Sequence, residues 1–344
     1  MRSPAGDGAP TCFPAATVAH VLRESELCTN DAVWLDAISD ALLSRPGPLT
    51  YVSAGANKGF NIVHFLRRYG NVSTLASDWL HEQRNFLANH AGVHLARGGK
   101  GYMTCGRCGG CKDNVFEAMG DRDVDVHAFE LVPDNVAWLR WAFAHFGLRA
   151  HVVHAAVGNY SGRVPTPNKG VLGFGFERAA VPLDNEEMVE GAESAGRAHK
   201  FYHHGRAIRL GDYFEEEEMR FVNVVQVDCE GFDGLVLAGM SSWLRLGRVG
   251  VVQFETETGA PGVKPPVGNM TLGNILRWMP SNYACFVETT RACVVPIAPV
   301  HCGWLHDFDG FGRRVSRHNA VCALEGPYQE ALWGVARRCV GSAV

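Results

Sequence analysis

Apolar positions along the chain follow two alternating periods, one near 3.6 residues and one of continuous short runs. The segment NDAVWLDAISDALL puts Val33, Ala37, Ile38, Ala41 and Leu42 on one face, behind a capping Asn30 or Asp31 and ahead of Pro46. It predicts an amphipathic helix. PLTYVSAGANKGFNIVHFLRRYG then reads as a short strand over 49–53, a glycine turn over 55–59, and a helix carrying Ile62, Val63, Phe65 and Leu66. The alternation recurs with a strand over 124–130, a helix over 135–146 closed by Gly147, and a strand over 150–157. FVNVVQVDCEG and VGVVQFE are nearly apolar throughout and each ends in carboxylates. That is the pattern of parallel strands covered on both faces. YACFVE, ACVVPI and NAVCALE follow one another without long helices and predict antiparallel strands at one sheet edge. The expected class is α/β, with a central and mostly parallel sheet and helices on both faces.

Two stretches, 71–122 and 158–205, are polar, glycine-bearing and too long for ordinary connections, so they read as insertions or lids. Residues 1–28 are rich in Pro, Gly and Ala without a period. The expected organisation is a tail and amphipathic helix over 1–47, a domain over 48–326 with a Cys-rich insertion at about 71–122, and a C-terminal tail over 327–344. There is no internal repeat.

Composition narrows the partners. With 47% hydrophobic and 20% charged residues the chain has the make-up of a packed protein. Its 32 basic and 36 acidic residues give a net charge of -4 with no basic block, so no nucleic-acid partner is expected. No uninterrupted apolar stretch reaches the roughly 18 residues of a spanning helix, and no membrane span is expected. Asp7, three prolines and His20 break the place of a signal-peptide core, which predicts a cytoplasmic location. Eleven cysteines in such a chain predict mostly reduced thiols. Oligomeric state is not legible.

Ligands of a doubly wound sheet bind outside the carboxyl ends of the strands, where loops diverge and helix N-termini point inward. Ser53 to Gly59 supplies glycines that let the backbone approach a ligand and N–H groups for a carboxylate or phosphate. Glu130 ends a strand in HAFELVPDN, where a carboxylate can accept both hydrogen bonds of a ribose diol. Together they point to an adenosine-containing cofactor. A nicotinamide dinucleotide is the weaker choice, because its site needs GxGxxG with an acid about 20 residues on, whereas the glycines here are Gly55 and Gly59 and the strand-end acid Glu130 follows Gly55 by 75 residues, a spacing that fails unless the insertion is discounted.

At these positions the chain resembles the FkbM-type S-adenosylmethionine-dependent methyltransferases. SAGANKGF is similar to the family's DVGANxGY, FELVPDN to FEPxPxN, and VVHAAVGNYSG to the third strand with its Ser-Gly continuation. VVQVDCEGFDGLVLAG is similar to KIDVEGxExxVLxG, and the order of the motifs agrees from about Tyr51 to Cys322. The resemblance implies a Rossmann-like, seven-stranded methyltransferase sheet with an antiparallel strand near one edge. It implies methyl transfer to a hydroxyl oxygen of a small molecule or glycan: a sugar, a glycolipid or a secondary metabolite. It also implies site roles. Ser53, Gly55, Asn57 and Gly59 would hold the methionine part of the cofactor, and Glu130 its ribose. His154 and Ala155 would lie by the adenine, and Asp228 would face the sulfonium or the amino group. Three departures matter: Ser53 stands where the family has Asp, Gln226 where it has Lys, and Asp233 where it has Glu. A serine carries no charge, so the missing anion would come from Asp78 or another acid, or the chain is a non-catalytic binding module.

Methyl transfer is an in-line displacement accelerated mainly by near-attack geometry, and an alcohol acceptor needs a base. Glu230 and Glu255, at the ends of adjacent strands, are the candidates, with a helix cap as the alternative role for Glu230. His64, His203 and His204 are further candidate bases, with a surface or packing role as the preferred reading of each. Within the first insertion TCGRCGGCKD brings Cys105, Cys108 and Cys111 to CxxCxxC spacing. Thiolates so placed can converge on a structural zinc, with Cys12, Cys28, His81 or His94 as a fourth ligand; free or disulfide-paired thiols are the alternative. The run Glu215 to Glu218 reads as a solvated helix face. In the loop HCGWLHDFD, His301, Cys302, His306 and Asp307 are of metal-binding types, but the preferred reading is a loop closing over the site, with Trp304 and Phe308 helping to cover the acceptor pocket.

Overall fold

The computed structural model describes residues 32–90, 118–167, 201–229, 231–257, 271–288, 293–297 and 317–341. Its centre is strand β1 (Leu49–Ala54), paired in parallel on one side with β2 (Val124–Glu130) and on the other with β7 (Val222–Val227). β3 (His151–His154) lies parallel outside β2, and β8 (Val249–Glu257) parallel outside β7. Beyond β8 the direction reverses. β11 (Arg317–Leu324) runs antiparallel to both β8 and β9 (Tyr283–Glu288), and β10 (Val294–Pro296) closes the edge antiparallel to β9. The order β10-β9-β11-β8-β7-β1-β2-β3 is the expected α/β sheet with its antiparallel edge, but it has eight strands where seven were expected. All three apolar runs at that edge become strands, and the short β10 is the addition.

Alternation along the strands feeds two cores. Tyr51 faces one core, while Val52 and Ala54 face the other, so each strand is apolar on both sides. The first core packs α1 (Ala32–Leu43), α2 (Phe60–Tyr69), α3 (Ala76–Asn89), α4 (Pro133–His145) and α9 (Pro327–Gly341) around Trp34, Tyr69, Trp79, Trp138 and Leu332. The second lies under α5 (Leu210–Glu216), α6 (Asp233–Gly239), α7 (Ser241–Arg245) and α8 (Leu272–Trp278), around Phe214, Trp243 and Phe254.

Four sequence expectations change in the structure. The stretch read as one strand over 150–157 breaks at Ala155, whose N–H reaches the carbonyls of both Glu130 and Val153. Its continuation β4 (Ala156–Gly158) joins β6 (Phe201–Arg209) and β5 (Gly162–Pro167) in a separate three-stranded sheet. The stretch read as an insertion from residue 71 opens with α3, whose buried Ala76, Trp79, Gln83 and Phe86 recur at helical spacing and pack on α4. The segment expected as a C-terminal tail carries α9, whose buried Tyr328, Leu332 and Ala336 pack with α1 into the first core. Reduced thiols were expected, yet Cys285 is bonded to Cys322 across the registered β9–β11 pair, and Cys293 to Cys339 of α9. Glu215 to Glu218 are exposed, as a solvated face requires. Among the described residues no helix is long and apolar enough to cross a membrane.

The Cys293–Cys339 bond closes a chain segment with a sequence separation of 46 and fastens α9 to the sheet edge. A loop of that size restrains the unfolded chain by about 4 kcal/mol in the chain-entropy account. Non-reducing peptide mapping should recover the two linked pairs. Cys293→Ser with Cys339→Ser should lower unfolding stability in urea by roughly 3–4 kcal/mol; an unchanged midpoint would contradict the staple.

Candidate functional site

The strand order reverses at β1, between β2 and β7, so the crevice of this sheet opens above the carboxyl ends of those three strands. The turn after β1 is fixed there by hydrogen bonds from every side. Gly55 and Ala56 donate to the Phe129 carbonyl at 3.0 and 2.8 Å, and Gly59 donates to Ala56 at 2.8 Å. The Asn57 N–H donates to Oε2 of Glu130 at 2.6 Å. The Lys58 carbonyl accepts from two indoles, Trp79 Nε1 at 2.6 Å and Trp138 Nε1 at 3.1 Å. These tryptophans were not legible as site residues, since their spacing on α3 and α4 signals only burial.

Gly55 is required twice over. Its φ of 81° lies in the left-handed region, and a Cβ there would sit 2.0 Å from the backbone oxygen of Asp228. The Asp228 N–H donates in turn to the Ala54 carbonyl at 2.9 Å, which locks the end of β7 against the turn. Gly59, also at φ 81°, precedes α2, and a side chain there would strike Leu139 and Trp79. Both glycines therefore serve close approach within the protein.

Glu130 is the hub. Its Oε1 accepts from the Val132 N–H at 2.7 Å, at the cap of α4, while Oε2 holds the turn, so one carboxylate joins the two loops that wall the crevice. It is buried, at 6% exposure. Burial pushes its carboxyl up to about 7, against the opposing pull of the Val132 and Asn57 amides and of Asn135. On the other side Asp233 plays a similar part. It accepts from the N–H groups of Cys229 at 3.2 Å and Glu255 at 3.0 Å, tying the loop after β7 to the end of β8. Burial, then the charges of Asp228 and Glu255, hold its carboxyl well above the usual range.

Most of the expected residues meet at this rim. Ser53 is buried near the end of β1, in register with Ala128 and Gln226, and Gln226 accepts from the Tyr51 hydroxyl at 2.5 Å. Asp228 is exposed at the end of β7, and Glu255 is half-buried on β8. His154 is exposed, with Nε2 3.0 Å from the Leu131 carbonyl, and Ala155 is buried beside Glu130. Asp78, considered as a substitute for the missing acid, is exposed and accepts from the Leu75 N–H at 3.0 Å, so it caps α3. His64 is buried in α2 as a packing residue. Glu230, the cysteines Cys105, Cys108 and Cys111 with Cys12, Cys28 and His94, and the loop from His301 to Phe308 lie outside the described residues, and so do the side chains of His203 and His204.

Two outcomes follow from this geometry. Gly55→Ala should destabilise the chain by several kcal/mol, because it combines left-handed strain with a backbone clash. Gly47→Ala, at φ 79° with nothing near its Cβ, should cost only about 1 kcal/mol. Equal effects in urea unfolding would contradict the packing role. Glu130 binds its proton more tightly folded than unfolded, so its contribution to stability falls as pH rises from about 4.5 to about 7. Measured against Glu130→Gln, which does not titrate, the wild type should therefore lose roughly 3 kcal/mol over that window. A pH-independent difference between the two would refute the elevated carboxyl.

Residues 105–285, more than half of the 344-residue chain, match the family model described as Methyltransferase FkbM domain. The match starts after the glycine turn and takes in β2, β7 and β8 with Glu130, Asp228, Asp233 and Glu255. No curated protein matches the chain. Among solved structures it is similar to protein LPL1258 from Legionella pneumophila str. Philadelphia 1, at 10% identity over 87% of this chain and 98% of that one. The TM-score of that pair is 0.31, too low to carry a conclusion about either fold. With the family match spanning the strands that frame the crevice, the chain belongs to the FkbM methyltransferase family.

Proposed function

We propose that the crevice above β1, β2 and β7 binds S-adenosylmethionine and that the protein transfers its methyl group to a hydroxyl oxygen. The observation that carries this reading is the glycine turn at the switch point, held by a strand-end carboxylate and faced by a second, exposed carboxylate, Asp228, in a methyltransferase family member. The donor set fits such a cofactor. A carboxylate oxygen has two lone pairs, so each Glu130 oxygen can keep its amide and still accept from a ribose hydroxyl. An anion at Asp228 suits the cationic end of the cofactor. Exposed His154 and the buried Ala155 at the end of β3 stand beside the Glu130 loop, where an adenine would be flanked.

When bound, the cofactor supplies an electrophilic methyl carbon on a sulfonium. The chain's part is to hold the acceptor oxygen in line with that carbon and to take the hydroxyl proton as the C–O bond forms. Glu255, half-buried at the end of β8, is assigned the proton, with Glu230 as the other candidate base. The acceptor class, a hydroxyl on a sugar, glycolipid or secondary metabolite, is proposed from the family resemblance alone.

A second reading is favoured by Ser53. This uncharged and buried residue stands where the family carries an acid, as it would in a binding module that has lost catalysis. Calorimetry separates the two. Binding of S-adenosylmethionine and S-adenosylhomocysteine without binding of NAD is the expected result, and failure of both sulfur compounds to bind would overturn the cofactor assignment. Cofactor binding without methyl transfer to any hydroxylated acceptor would leave the binding-module reading. Ribose hydroxyls donate to Glu130 and favour its ionised form, so binding should release protons and tighten as pH rises through about 7. Titrations at pH 6.5 in buffers of different ionisation enthalpy check this, and equal apparent enthalpies would contradict the ribose role of Glu130.

A further inference from the structure

Away from the crevice, β2 and β3 carry a cluster that the methyl-transfer reading does not use. Asp125 and His127 are two residues apart on β2 and so point to the same face of the sheet, and His151 is the registered neighbour of His127 on the edge strand β3. We propose that Asp125, His127 and His151 bind a late first-row transition-metal dication such as zinc and clamp the edge strand to the sheet. The His127 Nε2 lies 3.2 Å from Asp125 Oδ2, and the His151 Nε2 lies 3.5 Å from Asp125 Oδ1. Ligand atoms at bond lengths of 2.0–2.1 Å around a tetrahedral zinc stand about 3.3 Å apart, and each imidazole nitrogen stands close to that distance from one oxygen of the Asp125 carboxylate. One ligand atom from each of the three residues falls within 4.8 Å of the other two.

The donor set chooses the ion. Two imidazoles with one carboxylate suit zinc, copper or nickel, whereas calcium and magnesium take oxygen ligands. The second shell is present as well. Nδ1 of His127 is 2.9 Å from the hydroxyl of Tyr213 on α5, a contact that fixes the ring and turns Nε2 toward the shared point. The two imidazoles stack, with centroids 4.7 Å apart and planes 10° from parallel. An entry path exists, because the side chains of His151 and Asp125 are 57% and 41% exposed while that of His127 is 3% exposed. Solvent can complete the coordination. His127 precedes Glu130 by three residues, which puts the cluster about 10 Å down the strand from the crevice. The ion would therefore steady β3, whose end carries His154, and would touch no reacting atom.

The test uses the full chain stripped with a chelator and titrated with zinc against a chromophoric competitor. It is run in a Cys105→Ser, Cys108→Ser, Cys111→Ser background so that the CxxCxxC thiols do not contribute. One zinc should bind at micromolar or lower concentration and raise the unfolding temperature. His151→Ala, an exposed change, should weaken binding at least tenfold, while His145→Ala, also exposed, should not. Should the serine background fail to fold, the same comparison in the wild type should show His151→Ala lowering the zinc stoichiometry by one. Zinc affinity and stoichiometry unmoved by His151→Ala would refute the site and leave the cluster as a hydrogen-bond network.

Discussion

One buried carboxylate governs the arrangement of this protein's crevice. Glu130 reaches two backbone amides from opposite walls, one in the turn after β1 and one at the start of α4, and so sets the distance between them. An amide left without its partner in such a place would cost on the order of 1–3 kcal/mol. Alanine at this position would therefore disturb the loops as well as remove a cofactor contact, and the two effects must be measured separately. Burial holds the group near its midpoint at neutral pH. The contact that shapes the pocket is thus also the one most responsive to a ligand that donates hydrogen bonds.

The rest of the rim repeats the same physical solution. Asp233 ties β7 to β8 as Glu130 ties β1 to β2, again with a buried carboxylate that accepts backbone N–H groups. The carbonyl of Lys58 takes two indole donors, and Gly55 packs so tightly on Asp228 that a side chain cannot enter. Strand ends that would otherwise splay are cross-linked by these side chain-to-backbone hydrogen bonds. Bridges of this kind preorganise a crevice, which is how binding energy is kept for orientation of the reacting groups.

Much of this was legible in the sequence, because it rests on local patterns. The apolar runs gave the strands, and the carboxylate at the end of each gave Glu130, Asp228 and Glu255 in their places at the rim. The helix α3 was hidden because its polar face and the glycines beyond it blend into one stretch. The helix α9 was read as a tail, since its docking depends on α1, some 290 residues earlier in the chain. The disulfides were missed because cysteine pairing follows from register, which composition does not report. The roles of Trp79 and Trp138 had no signal at all, because a buried indole in a helix reads as core until its N–H is seen to find a carbonyl in the glycine turn.

The central claim is that the Glu130 carboxylate holds the crevice together, and amide hydrogen exchange tests it most directly. In the wild type the Asn57 and Val132 amides should exchange slowly. In Glu130→Gln, whose side chain has only one accepting oxygen, at least one of the two should exchange tenfold faster or more, while amides at the centre of β7 stay protected. Unchanged protection at both Asn57 and Val132 would contradict the account.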